Sequence, residues 1–173
     1  MANLIFKFER VPTPTGDMLV ATDDKGFLRA LDWDDYEARM HRLLRLHYGA
    51  NNVTLINPSS ASAARRSIET YLEGDLSAID NLPVKTLGTA FQREVWAALR
   101  AIPAGQTITY GALALRLDRP KTVRAVGLAI GANPVGVVVP CHRVIGADAS
   151  LTGYGGGLER KRWLLEHEGV QLP

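Results

Sequence analysis

The residues with the most chemical potential in this chain stand together at Pro140-Cys141-His142-Arg143-Val144. Cys141 is the single cysteine among 173 residues, so no disulfide can form within the chain, and the thiol is either a small packing group or a reagent. A thiol attacks as the thiolate, a form that neighbouring basic or cationic groups favour. His142 is of the right type for a general base, and a carboxylate is needed to hold its imidazole in one tautomer. Glu168 is a candidate for that carboxylate, or else a solvated group at a helix end. Adjacency alone does not establish contact, because successive side chains of an extended segment point to opposite faces. His41 and His47 fall six apart on a predicted helix, which does not suit the i, i+4 spacing of a helical zinc pair, and no cysteine accompanies them. No metal site is expected.

The elements that must position these groups are legible as periodicity. Apolar patterns at Leu4–Phe8, Met18–Ala21 and Phe27–Trp33 predict strands, and the turn Asp23-Asp24-Lys25-Gly26 makes a hairpin of the last two. A helix is predicted over Asp34–His47, with Tyr36, Met40, Leu43, Leu44 and His47 at helical spacing. Another is predicted over Ser59–Leu72, capped at Ser59 or Ser60 and ending before Gly74. The bridge from Gly74 to Gly88 contains Pro83 and changes composition, so the domain boundary is expected there: an α+β domain over residues 1–84 and a second domain over residues 85–173.

The second domain reads as short helices separated by turns. Phe91, Val95, Leu99 and Ile102 recur on one face of a helix that ends at Pro103-Ala104-Gly105. After a β-like Thr107–Thr109, a helix over Tyr110–Leu117 breaks at Asp118-Arg119-Pro120. Another runs from Lys121 to Ile130, before Asn133-Pro134. Two short helices around a tight turn are the helix-turn-helix arrangement, which α-hairpins that never touch DNA share. Val137–Val139 is predicted as a buried strand delivering the chain into Pro140–Val144, and a last helix, Leu158–Glu168, stops at Gly169.

With 46% hydrophobic residues the chain can bury a sizeable core, which excludes disorder as the expectation. Met1–Val11 interleaves Lys7, Glu9 and Arg10 with apolar residues and so lacks a signal-peptide block. No stretch approaches the roughly 20 apolar residues that span a bilayer. A cytoplasmic protein is expected. The net charge of +2 hides an asymmetry: residues 1–84 carry 9 Lys and Arg against 12 Asp and Glu, a net of −3, and residues 85–173 carry 11 against 6, a net of +5. A basic second half suggests a polyanion partner, although such an excess often only solvates a surface.

Taken together, the pieces resemble one family, the O6-alkylguanine-DNA alkyltransferases, also called methylated-DNA–protein-cysteine methyltransferases. The resemblance rests on Pro-Cys-His-Arg-Val at 140–144, Thr-Tyr-Gly-Ala-Leu-Ala at 109–114, Arg-Ala-Val-Gly at 124–127, Asn133-Pro134, Gly-Tyr-Gly-Gly-Gly at 153–157 and His-Glu-Gly at 167–169. It covers residues 89–169 strongly and the first half by layout. It implies an α+β fold with a helix-turn-helix, winged-helix-like second domain, acting without cofactor or obligate protein partner, as a monomer, on alkylated double-stranded DNA. Cys141 would be the nucleophile, deprotonated through a bound water by His142, with Glu168 stabilising the imidazolium. Tyr110 would donate to N3 of the departing guanine, and Asn133 would tie the recognition helix to the active-site segment. Arg124 would fill the space left by a flipped base, while Thr109, Tyr110, Ala125 and Gly127 meet the DNA, the small residues allowing close approach to the minor groove. Val144, Tyr154, Gly155 and Gly156 would line the pocket, the N–H of Gly155 meeting guanine O6 and the carbonyls of Cys141 and Val144 its amino group.

The pattern departs from some relatives in having no cysteine before Cys141 to build a zinc site, and in placing Gly136 where vertebrate relatives have a proline, which leaves tolerance of bulky alkyl groups open. It resembles the stand-alone bacterial form, so no additional regulatory domain is expected. Three other readings compete: a lesion binder without transfer chemistry, a winged-helix regulator with a packing cysteine, and a turnover thiol hydrolase. Cys141 opposes the first, and neither of the others needs Tyr110, Arg124, Asn133 and Glu168 together.

Overall fold

Six strands and six helices form among the residues that the computed structural model describes, 3–173. They divide into two units, one comprising the chain up to Leu87 together with Pro134–Val138, the other comprising Gly88–Asn133 and Val139–Pro173. The fold is of the α+β class.

In the first unit, β1 (Leu4–Val11), β2 (Met18–Thr22), β3 (Leu28–Trp33) and β4 (Val53–Ile56) make one sheet in the order β3-β2-β1-β4. β1–β2 and β2–β3 are antiparallel, and the second pair is the hairpin expected around Asp23–Gly26. Every residue of β2 is buried, as suits a strand with neighbours on both sides. β1 runs three residues beyond Phe8. β4 is an element that the sequence pattern did not reveal; it joins β1 in parallel, with Leu4 opposite Val53 and Lys7 opposite Ile56, so the sheet is mixed. Its four residues form an edge strand with only Val53 and Leu55 half-buried, too short an alternation to stand out.

α1 (Glu37–Tyr48) starts after a 3-10 turn at Asp34–Tyr36 rather than at Asp34. It places Met40, Leu44 and Tyr48 one turn apart against Phe6, Leu19, Ala21 and Ala30. α2 (Ala63–Leu72) is capped by Ser62, whose hydroxyl accepts from the Arg65 N–H, not by Ser59 or Ser60. The Ser62 N–H donates in turn to the buried Glu9 carboxylate, a negative charge at a helix start.

Pro134–Val138 lies beside β3, the Leu31 N–H donating to Pro134 O and the Gly136 N–H to Leu31 O. The strand expected at Val137–Val139 is absent. These residues are buried, but the Val138 N–H donates to Gly136 O at 2.7 Å, closing a three-residue turn around Val137 at φ +68°. A β-branched residue in the left-handed region is strained. An apolar run reports burial and not backbone conformation, which is why it misled.

The second unit contains α3 (Ala90–Arg100), β5 (Ile108–Thr109), α4 (Tyr110–Arg116), α5 (Val123–Gly131), β6 (Val144–Ile145) and α6 (Leu158–His167). β5 and β6 pair in parallel. α4 ends in a turn where the Asp118 N–H donates to Leu115 O and the Arg119 N–H to Ala114 O, with Asp118 at φ +59°; this is a Schellman closure made with aspartate. α5 begins two residues later than expected. α3 packs on it through Trp96 Nε1, which donates to Ala129 O at 2.8 Å.

α3 opens with a capping box, the Thr89 hydroxyl accepting from the Gln92 N–H and the Gln92 side chain from the Thr89 N–H, each at 3.0 Å. Thr89→Ala removes one of these bonds and is expected to cost about 1 kcal/mol. Urea denaturation checks this, and an unchanged midpoint would contradict it.

Candidate active site

α6 carries the site's foundation on its buried stripe. Lys161, Leu164, Leu165 and Glu168 recur at i, i+3, i+4 and i+7, and all four are at most 3% exposed. Two leucines anchor the helix, and the two charged residues at either end need partners, since burying a lone charge is costly. Glu168 is the C-cap residue. Its backbone is fixed by a Schellman closure in which the Gly169 N–H donates to Glu166 O and the Val170 N–H to Leu165 O. Gly169 sits at φ +87°, where glycine alone is unstrained.

Glu168 finds its partners in the segment that carries the cysteine. The Pro140 backbone at φ −82° and ψ 66°, with the Cys141 N–H donating to Val139 O at 2.8 Å, makes an inverse γ-turn that swings the chain into a single 3-10 turn over Cys141–Arg143. Three residues per turn fan the side chains apart. Cys141 remains half-buried, while His142 and Arg143 point inward. Arg143 meets Glu168 with two bonds, Nε to Oε1 at 2.9 Å and Nη2 to Oε2 at 2.8 Å, and Nη1 donates to Ile102 O. His142 Nε2 is 3.0 Å from Glu168 Oε2.

This arrangement assigns the state of the imidazole. Burial raises the carboxyl's pKa, but the Arg143 and His142 contacts outweigh it and hold Glu168 well below the usual carboxylate range, so it is ionised and only accepts. His142 Nε2 must therefore carry the proton. Burial pulls His142 below its ordinary pKa despite Glu168, and the ring is neutral near pH 7. Nδ1 is then an acceptor; it is buried and has no hydrogen-bond partner in the protein. The Tyr154 ring stands edge-on to the imidazole, with centroids 6.5 Å apart.

Lys161 is a buried residue of the site that the sequence pattern did not single out. Its ammonium donates to the carbonyls of Val144 at 2.6 Å, Thr152 at 3.0 Å and Gly153 at 3.1 Å, lashing the glycine-rich loop to β6. Burial pulls its pKa down to about 8, and the Cys141 side chain draws it the other way, which places a buried cation within electrostatic reach of the thiol. The i, i+3, i+4, i+7 spacing with Glu168 was the available signal.

The remaining predicted residues fall at defined places in this unit. Thr109 caps α4, its hydroxyl accepting from the Ala112 N–H. Tyr110 opens α4 and its hydroxyl donates to Thr152 O at 3.2 Å. A Cβ on Gly127 would meet the Tyr110 ring at 4.0 Å, so Gly127 faces that ring from α5. Asn133 Nδ2 donates to Val139 O at 2.9 Å, two residues before Cys141. Val144 is fully buried and its carbonyl is already engaged by Lys161. Gly156 O accepts from Arg160, and Tyr154 O from the Gly157 N–H, which shape the loop around Gly155. Arg124 and Ala125 are exposed on α5, whereas Ala129 is buried and its carbonyl accepts from Trp96 Nε1. Gly136 belongs to the other unit, bonded to Leu31. Among the described residues no group of three or more His, Cys, Asp or Glu side chains could hold a metal ion.

Known proteins share this chain's sequence and fold. The profile described as "6-O-methylguanine DNA methyltransferase, DNA binding domain" matches residues 90–170. A methylated-DNA–protein-cysteine methyltransferase of Salmonella typhimurium is 51% identical over 167 residues, covering 95% of this chain and 96% of its own. One of Haemophilus influenzae is 39% identical over 92% of this chain and 84% of its own. The crystal structure of Mycobacterium tuberculosis OGT in complex with DNA superposes with a TM-score of 0.78 at 35% identity, covering 98% of this chain and 96% of its own.

Both depressed pKa values act on stability in one direction. Below the ordinary histidine value of 6.5 the unfolded chain binds a proton that buried His142 resists, and below the carboxylate value of 4.5 the same holds for Glu168. Stability is therefore fully present above pH 6.5 and is lost as pH falls; thermal melts from pH 7.5 to 4 should show Tm decreasing. Glu168→Gln leaves Arg143 buried without its counter-charge and should cost about 3–5 kcal/mol at pH 7.5. A Tm equal to the parent's would contradict the carboxylate's role. Lys161→Met is expected to slow alkylation of Cys141 by iodoacetamide at pH 7 several-fold and to move the pH–rate profile upward; an unmoved profile would make Lys161 purely structural.

Proposed function

The chain belongs to the methylated-DNA–protein-cysteine methyltransferase family, and from that premise we propose that Cys141 takes the alkyl group from O6 of a damaged guanine in duplex DNA and keeps it. The protein is a DNA-repair alkyltransferase. The single observation that carries the residue assignment is the buried Glu168–His142 pair, which leaves His142 Nδ1 as a proton acceptor one residue from a half-buried thiol.

In this reading the Cys141 proton passes through a bound water to Nδ1, and Glu168 stabilises the imidazolium that results. The thiolate attacks the alkyl carbon, an S–C bond forms, the C–O6 bond breaks, and the electron pair leaves on guanine. Tyr110 donates at N3 as that charge develops. Its 3.2 Å bond to Thr152 O is long and readily exchanged for substrate. The Gly155 N–H meets O6. The carbonyls of Cys141 and Val144 take the amino group, Val144 using its second lone pair beside Lys161. Asn133 holds the Cys141 approach through Val139. The thioether has no leaving route under cellular conditions, so one protein repairs one lesion.

The alkyl carbon lies within a base stack, and the nucleotide must be flipped out to reach Cys141. Exposed Arg124 fills the gap, with Thr109, Tyr110, Ala125 and Gly127 flanking the minor groove. The mycobacterial relative bound to DNA and the +5 charge of residues 85–173 support duplex DNA as partner. O4-alkylthymine is a second substrate on this reading, and the protein acts as a cytoplasmic monomer without cofactor.

Incubation with a duplex holding one O6-methylguanine should add one methyl to Cys141, saturating at one per protein, by intact mass and peptide mapping. Lesion loss beyond one equivalent would demand a turnover enzyme, and binding without a mass change would favour a non-catalytic lesion binder. Cys141→Ala should abolish transfer while a mobility shift retains lesion binding, and Arg124→Ala should slow base extrusion more than it slows iodoacetamide.

A further inference from the structure

The outward face of α5 is not the smooth strip of small residues that its sequence suggests. Arg124, Ala125, Leu128 and Gly131 face solvent at helical spacing, while Val126, Ala129 and Ile130 are buried. At 3.6 residues per turn Leu128 falls near the middle of that face, one turn beyond Arg124. It is 72% exposed. A solitary exposed leucine is ordinary; this one is set apart by its neighbours. Ala125 and Gly131 carry no bulk to hold a partner away, so Leu128 and the Arg124 guanidinium are the two side chains that stand out from the strip.

We infer that Leu128 is a further DNA-contacting residue of α5, an apolar wedge seated against the sugar edges of the minor groove beside the flipped nucleotide. The inference rests on the repair function proposed above. Apolar side chains serve at such interfaces by prying base steps apart and filling the widened groove. Contacts from Lys and Arg to phosphate release counterions and weaken steeply with salt, whereas burial of leucine against sugar carries no such dependence. Arg124 and Leu128 thus divide the work: one supplies charge and fills the stack, the other supplies a salt-independent share of affinity and holds the groove open.

The test is fluorescence anisotropy of the full chain carrying Cys141→Ala, which binds without reacting, titrated with an O6-methylguanine duplex between 50 and 200 mM NaCl. Adding Leu128→Ala should weaken binding about tenfold at every salt concentration with the slope of log affinity against log salt unchanged, and Leu128→Met should restore most of the loss. Adding Arg124→Ala should instead flatten the slope by about one. An affinity unaffected by Leu128→Ala, a slope that changes with it, or a methionine variant as weak as the alanine one would overturn the inference and leave the repair function standing. A parent chain that neither binds this duplex nor, with Cys141 intact, is methylated by it would overturn the repair function and this inference together.

Discussion

Glu168 is at most 3% exposed and ionised, and it survives there because Arg143 grips both its oxygens while His142 donates to one of them. Removing a carboxylate from water costs several kcal/mol, and only close, well-aligned partners offset that cost. Arg143 and His142 adjoin Cys141 in sequence and Glu168 lies 25 residues beyond Arg143, so one carboxylate fastens the active-site turn to the end of α6. Remove it, and a buried guanidinium loses its counter-charge while the imidazole loses its tautomer. The arginine of the Cys-His-Arg sequence thus keeps ionised the group that orients the histidine.

The elements around this pair are arranged to deliver it. Leu164 and Leu165 seat α6, Gly169 closes its end so that Glu168 sits at the cap, and the Pro140 γ-turn feeds a 3-10 turn that separates Cys141 from His142 and Arg143. Lys161, on the same stripe, binds three carbonyls and keeps the 152–153 loop on β6 near the thiol. Two buried charges of opposite sign therefore share one stripe of α6. Their balance differs: Glu168 is held firmly ionised, whereas Lys161, at about 8, sits close enough to neutrality for the local field to depend on pH.

Much of this was legible before the fold. The nearness of Glu168 to His142, the α4–α5 pair and the hairpin of β2 and β3 follow from motif, periodicity and turn chemistry. The misses share one physical origin, that local pattern reports burial better than conformation or partnership. Val137–Val139 is buried as its composition requires, yet it folds as a turn. β4 is a short edge strand whose pairing with β1 is set far along the chain. Ser62 rather than Ser59 or Ser60 caps α2, since Glu9, 53 residues away, chooses among them. Lys161 reads as a surface lysine until the helix is seated.

His142 is neutral with its proton on Nε2, which leaves Nδ1 as a buried acceptor. Nitrogen-15 NMR of the imidazole in the full chain tests this directly. Near pH 7 the Nε2 resonance should lie in the protonated range and the Nδ1 resonance in the unprotonated range, with the ring titrating only below the ordinary histidine value of 6.5. A proton found on Nδ1, or a ring that titrates at the ordinary histidine value, would contradict it.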